Sequence, residues 1–243
     1  MIAAHSRRVA RGICACLLAS AAAPAWAQNG PEQLEQIEPD KGEWQLEYFG
    51  AFGGSGEQAV EASYAVSDRI VLGAQVEVEG PRGGLTVESA GLGALVRLIE
   101  PTEAPIGLGL QFEVSVDRDG RIAELEGRGI AETRTPKWWL QADLILRRVR
   151  EDRAQATGLA YATSIQRGLG EDLWAGIEAS GQIARLSGED EAAPAGQHYL
   201  GPSLTIERPI GRGAEVELGF AWLQRVRGRG PGSGPRIFAQ FVF

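Results

Sequence analysis

Apolar and polar residues alternate along most of the chain after residue 42, and the clearest stretch is Ile106–Asp117. Its even-numbered positions are all apolar, whereas its odd-numbered positions are glycine or polar. A period of two places alternate side chains on opposite faces of a strand, and a helix would scatter them around its surface. The stretch therefore predicts a β-strand with one apolar and one polar face.

The same alternation between turn signals predicts twelve strands, in residues 43–48, 60–64, 72–79, 92–98, 106–117, 121–132, 138–147, 156–165, 173–180, 198–207, 215–222 and 237–243. The segment 121–132 is weakly patterned but decides the count, because eleven strands would leave the two chain ends on opposite sides. Bacterial single-chain barrels have even strand numbers. The fold predicted is all-β, a closed antiparallel transmembrane β-barrel of about 12 strands with short loops on both sides.

The first 42 residues lack this alternation. Residues 1–27 read as a signal peptide, with basic Arg7, Arg8 and Arg11, an apolar run over 13–23 and small residues at the cleavage position. Residues 28–42 are acidic and unpatterned, which predicts a loose periplasmic N-terminal tail ahead of a barrel over 43–243. Both cysteines, Cys14 and Cys16, fall in the signal, so the mature chain has no thiol, disulfide or cysteine-based metal site.

Charge and hydropathy exclude two protein classes. The full chain carries a net charge of −8, and removing the three signal arginines leaves 21 basic and 32 acidic side chains, a net −11. Nucleic acid is excluded as a partner because phosphate binding needs a basic footprint. No run of 18 apolar residues follows Ala27, which excludes an α-helical membrane protein.

The predicted inward face of the strands is acidic. Its carboxylates are Glu43, Glu47, Glu61, Glu77, Glu79, Glu113, Asp117, Glu124, Glu126, Asp143, Glu178, Glu207, Glu215 and Glu217. The inward cations are Arg97, Arg128 and Arg147. So many more carboxylates than arginines cannot be buried without water, because an unpaired buried charge costs several kcal/mol. The interior is therefore expected to contain water, or some of its carboxyl groups are expected to be protonated.

Two interpretations of this interior stay open. One is a narrow passive pore for small solutes that favours cations, and the other is a hydrated, non-conducting structural or interaction barrel. The pore-lining candidates are Glu77, Glu113, Glu124, Asp143, Glu178, Glu217, Arg97, Arg128 and Arg147. No phosphate-binding loop, metal site or cofactor site is expected.

Catalysis and a soluble barrel are disfavoured. His198 is the only histidine after the signal, no serine stands near it in a recognisable motif, and its parity points it toward lipid. An outer-membrane lipase, deacylase or protease is therefore the weaker alternative, and no catalytic residue is assigned. A soluble lipocalin-like barrel would need a polar outer face, whereas here one whole parity is apolar.

Basic and aromatic residues mark the predicted barrel ends. Arginines in or beside the predicted outer loops could pair with lipopolysaccharide phosphates. Ordinary solvated loop charge explains these arginines equally well. They are Arg82, Arg118, Arg121, Arg148, Arg150, Arg153, Arg225, Arg227, Arg229 and Arg236. Aromatic residues at strand ends are predicted to form membrane-interface girdles: Trp44, Trp138, Trp139, Tyr199 and Trp222.

The C-terminal octapeptide RIFAQFVF resembles the signal that outer-membrane proteins present to the barrel-assembly machinery, with Phe243 terminal and Phe241 two residues before it. The segments 44–48, 62–64, 173–178 and 198–203 resemble a proteobacterial outer-membrane β-barrel family of porin-like or transporter-like proteins. The resemblance implies a cell outer-membrane location, transit with periplasmic chaperones, and small solutes as cargo. It brings no catalytic residue with it.

Deleting Phe243 is expected to reduce the yield of folded barrel, because the terminal aromatic alternation is needed for assembly. Heat-modifiable migration on gels measures this yield. Normal yield after the deletion would contradict the assignment of Phe243 to the assembly signal.

Overall fold

The computed structural model describes residues 31–52, 56–79, 86–101, 104–151, 154–189, 196–211, 213–229 and 232–243, apart from the side chains of Glu79 and Glu151. The predicted signal segment, Arg82 and Arg153 lie outside these residues. The twelve strands are β1 (Trp44–Ala51), β2 (Glu57–Ser67), β3 (Ile70–Glu79), β4 (Thr86–Ile99), β5 (Gly107–Asp117), β6 (Ile122–Arg134), β7 (Trp138–Glu151), β8 (Ala154–Gly168), β9 (Leu173–Gly188), β10 (His198–Pro209), β11 (Glu215–Arg227) and β12 (Ser233–Val242).

These strands form one closed barrel in which each strand pairs with its chain neighbours and β12 returns to β1. All pairs are antiparallel, so the predicted fold and strand count are confirmed, including the weakly patterned β6. The β1–β12 seam places Leu46 opposite Phe241. The backbones of Trp44 and Phe243 exchange hydrogen bonds of 2.8 and 2.9 Å at its end, so the C-terminal residue itself helps to close the barrel.

The outer face is apolar, as the alternation predicts. On β5, Leu110 and Phe112 are 38% and 56% exposed, whereas the amide oxygen of the intervening Gln111 is buried. Such an apolar outer surface around a polar interior is characteristic of transmembrane barrels. Among the described residues, no helix is long and apolar enough to cross a membrane.

The predicted aromatic girdle needs two corrections. Trp44, Trp138 and Trp222 face outward and are each nearly half exposed. Trp139 and Tyr199, in contrast, are almost fully buried and face the interior. Neighbouring residues in a strand point to opposite faces, so Trp138 and Trp139 could not both belong to a girdle.

The N-terminal tail differs most from the expectation. We call residues 31–39 the lumen segment, because they lie inside the barrel instead of forming a loose tail outside it. Glu32, Ile37 and Pro39 are buried, and the chain becomes exposed again only at Asp40. The connections between strands remain short, the longest being residues 189–197. Within the described residues, it is the lumen segment that runs through the interior.

Replacing Leu110 by arginine should destabilise the barrel by about 2–4 kcal/mol, because arginine on a lipid-facing position near the bilayer midplane costs that much. The neighbouring change Gln111→Arg should be tolerated, since that side chain faces the polar interior. Urea titration of the folded protein in lipid vesicles measures both free energies of unfolding. Equal effects of the two changes would contradict the register.

Candidate functional site in the barrel lumen

The lumen segment runs along the barrel interior from the end where β1 begins, which we call the Trp44 end, toward the opposite end. Near the Trp44 end, Gln240 of β12 donates a 2.7 Å hydrogen bond to Glu38. Toward the opposite end, Glu32 accepts from Arg147 and, at 3.4 Å, from Gln182. The six residue steps from Glu32 to Glu38 reach at most about 20–22 Å in an extended chain, somewhat less than the roughly 25 Å height of the apolar band of such barrels.

Two arginines on neighbouring strands hold the lumen segment at Glu32 and Glu35. Arg128 on β6 binds Asp143 at 3.1 Å and Glu126 at 2.9 Å, and it lies 3.8 Å from Glu35 of the lumen segment. Arg147 on β7 contacts Glu32, Glu126 at 3.4 Å and Glu124 at 3.7 Å. The predicted candidates Glu124, Asp143, Arg128 and Arg147 therefore meet in one network, and the lumen segment completes it.

Nearer the Trp44 end than this network, an apolar pocket anchors the lumen segment. Ile37 is 4% exposed and packs in one cluster with Ala65, Val71, Leu95 and Ile130. These side chains come from strands β2, β3, β4 and β6, on the inward parity that elsewhere carries carboxylates. Burying one isoleucine contributes about 1.5–3 kcal/mol, so this contact fixes the register of the segment.

The other predicted candidates also face the interior but are not all brought together. Glu178 on β9 pairs across the barrel with Arg236 on β12, and both are buried. Glu217 accepts a 3.0 Å hydrogen bond from Gln36 of the lumen segment. Arg97 lies apart, near the Trp44 end, 3.5 Å from Glu100 and 3.9 Å from Asp40.

Glu77 and Glu113 form a separate acidic wall. Glu113 accepts a hydrogen bond from Gln75, and Glu77 accepts one of 2.6 Å from Ser89. Within the described ranges, neither carboxylate has an arginine or lysine in ion-pair contact. This wall therefore has two carboxyl groups without a cation in contact among the described residues.

Sequence reasoning missed two inward cations. Arg236 was predicted at the outer rim, yet it is 2% exposed and lies in the lumen, on the same parity as Gln240. Arg134 binds Glu207 with two nitrogens, and its guanidinium lies 4.5 and 4.9 Å from the rings of Trp139 and Trp174. The alternation of β12, extended two residues toward the loop, is the signal that would have found Arg236.

Burial changes the acidity of the segment's own carboxyls, which lie outside the strands. Burial, together with the nearby carboxylates Glu132, Glu207 and Glu215, raises the pKa of Glu38 to about 8. Burial also raises the pKa of Glu35 well above its ordinary value, although Arg128 opposes the shift. Seating the segment thus takes up protons. It is favoured at acidic pH, and this contribution is lost as the pH rises from the ordinary glutamate range through about 8.

A small cavity lies beside the seated segment. Its volume is about 30 Å³, and its lining includes Glu35, Gln36, Glu61 and Gln111. One water-sized probe needs about 10–15 Å³, so this cavity has room for water and not for a larger solute.

His198 takes no part in this interior. It alternates with the buried Tyr199 and faces outward, where its Nδ1 lies 3.3 Å from the hydroxyl of Tyr161. The ring centroids are 5.8 Å apart. In the part of the chain that the structure describes, no group of three or more histidine, cysteine or acidic side chains is arranged to hold a metal ion.

Comparison with known proteins identifies the fold. No protein-family model matches the chain, and no curated protein matches it either. Among solved structures, the barrel is similar to the KdgM porin, with 9% identity, 83% of this chain and 99% of that chain covered, and a TM-score of 0.50.

Two further porin-type barrels match at slightly higher structural similarity. The NanC porin shares 5% identity over 82% of this chain and 98% of its own, with a TM-score of 0.55. An outer-membrane channel from Pseudomonas putida shares 13% identity over 88% of this chain and 99% of its own, also with a TM-score of 0.55. At these identities the likeness concerns the fold alone, which is that of porin-like β-barrels.

Replacing Ile37 by aspartate should unseat the lumen segment, because a carboxylate in the apolar pocket would be unpaired and costs several kcal/mol. With Gln33→Cys as a single thiol, a membrane-impermeant maleimide should label the parent slowly and the Ile37→Asp protein much faster. The control is Ile210→Asp, an exposed isoleucine in the turn after β10, which should leave labelling slow. Slow labelling in all three proteins would contradict the anchoring role of Ile37.

Proposed function

We propose that this protein is an outer-membrane barrel that acts as a narrow passive pore for small solutes, favours cations, and is closed when the lumen segment is seated. The observation that carries the proposal is the acidic wall. Glu77 and Glu113 line it, their hydrogen-bond donors are neutral, and no described arginine forms an ion pair with either of them. Fixed carboxylates in a narrow space with low-dielectric walls enrich cations and repel anions.

The outer membrane as location is supported by the apolar outer face and by the fold it shares with the KdgM and NanC porins. Solutes described for those proteins do not transfer, because the likeness is one of fold. Lipopolysaccharide at the outer rim stays a proposed partner, on the strength of the exposed Arg148 and Arg150.

A non-conducting barrel is the second candidate, and one specific observation favours it. The lumen segment occupies the interior and contacts several strands of the wall, so a segment that never leaves would make the barrel purely structural. A hydrolase is the weakest candidate, because His198 faces outward and its described partner is a tyrosine hydroxyl, not a nucleophile and a carboxylate.

Cation preference and pH dependence should appear together in planar bilayers. In a salt gradient at neutral pH, the reversal potential should indicate cation preference. Current and preference should both fall as the pH drops toward 4, where lumen carboxylates bind protons and the segment is seated more firmly. The Ile37→Asp protein should carry more current than the parent.

Substitutions that each remove one carboxylate charge identify the side chains that set the cation selectivity. Glu113→Gln should lower the cation-to-anion permeability ratio about five-fold, because a unit charge about 8 Å away in a water-like medium stabilises a cation and destabilises an anion by about 0.5 kcal/mol each. Glu88→Gln is the matched control on β4, because Glu88 faces outward beside Arg118, and it should change nothing. Anion preference in the parent would refute the selectivity, and absence of current in the Ile37→Asp protein would favour the structural barrel.

A further inference from the structure

The lumen segment is held through its backbone as well as its side chains. The amide of Glu35 donates a 2.8 Å hydrogen bond to Asp143, and the amide of Ile37 donates one of 3.4 Å to Glu132. The carbonyl of Gln33 accepts a 2.8 Å hydrogen bond from Arg128. All three wall residues lie on β6 and β7, and the three backbone groups belong to alternate residues, as on one edge of an extended strand.

From this arrangement we infer that the β6–β7 wall of the lumen is a binding site for short extended peptides, which the chain's own lumen segment occupies as an internal ligand. Backbone amides and carbonyls are common to every peptide. Contacts made to them therefore give affinity without depending on sequence, as in other modes of extended-peptide recognition. A peptide from outside binds at the same wall when the segment leaves it.

Side-chain positions along the wall define which peptides fit. The pocket of Ala65, Val71, Leu95 and Ile130 takes one aliphatic side chain, the place of Ile37. Arg147 selects an acidic residue five positions earlier, where Glu32 now lies. Both contacts come from the inner faces of strands and are already formed in the closed barrel.

Two carboxylates on other strands, Glu47 on β1 and Glu217 on β11, add a preference for positive charge. Glu47 accepts a hydrogen bond from the Gln33 side chain, and Glu217 accepts one from the Gln36 side chain. Both carboxylates are buried. A charged donor forms a stronger hydrogen bond to a carboxylate than a neutral amide does, so lysine at these two peptide positions should bind more tightly than glutamine. Passage of such peptides rests on the proposed pore, whereas their binding does not.

The test uses the full chain with a site-specific protease sequence inserted between Lys41 and Gly42, which are both exposed. The protein is folded first, cut, and washed to remove the freed segment. A fluorescent peptide of sequence PEQLEQIEP, matching residues 31–39, is then titrated and followed by anisotropy. We expect saturable binding, about ten-fold weaker binding after isoleucine-to-serine exchange in the peptide, and tighter binding of the peptide PEKLEKIEP.

Backbone recognition has its own matched control. A methyl group on the peptide nitrogen equivalent to Glu35 removes the donor to Asp143 and should weaken binding about ten-fold or more, the usual effect of losing a hydrogen bond to a buried charge. A methyl group on the nitrogen equivalent to Gln36, whose amide is not among these contacts, should weaken it much less. Equal binding of the two methylated peptides would overturn the proposal.

The remaining outcomes are equally decisive. If the cut segment stays in place, its exchange for the labelled peptide supports the site, and failure to exchange makes the segment a fixed part of the barrel and overturns the proposal. Absence of peptide binding by an emptied barrel overturns it as well. Peptide binding by a barrel that carries no current would leave this inference standing and refute the proposed pore.

Discussion

Backbone hydrogen bonding in a medium without water is the constraint on which the rest of this structure depends. In the hydrocarbon layer each amide and carbonyl must find a partner within the protein, and a sheet satisfies them all only by closing on itself. The β1–β12 seam does this, down to the mutual hydrogen bonds of Trp44 and Phe243. Once the sheet is closed, every second side chain must face lipid and the others must share a small interior.

The crowded interior then explains the lumen segment. Arg128, Arg147 and Arg236 face inward with many more carboxylates, and each buried charge needs a partner or water. Glu32 and Glu35 complete the coordination of Arg147 and Arg128, while Ile37 covers an apolar patch of the inner wall. The segment adds negative charge to an acidic interior, which is tolerable because protons are taken up at Glu38.

The sequence predicts the barrel wall better than its contents, for a physical reason. Side-chain alternation is a local property of a strand, so Ile106–Asp117 reveals its faces directly, and even the weak β6 follows from the need for an even strand number. The place of residues 31–39 depends largely on contacts with distant residues, such as Glu132 and Glu217, which are 95 and 181 positions away from their partners in the segment. No local sequence pattern predicts those contacts. For Arg236 a local pattern does exist, because the alternation of its neighbours in β12 places it on the inward face. It was assigned to the outer rim only because a loop lies close to it.

Incomplete hydrogen bonding along the segment bears on whether the lumen can open. Among the described residues, the side-chain oxygens Gln36 Oε1 and Asp143 Oδ1 are buried without a hydrogen-bond partner. Each such atom costs about 1–3 kcal/mol relative to a hydrated one. These costs offset part of the free energy by which Ile37 and the arginine contacts stabilise the seated segment. A tethered segment also has an effective concentration near the millimolar range, and it needs only modest intrinsic affinity to stay seated. Weak seating by a tethered ligand is the condition under which an outside ligand or a rise in pH is able to displace it.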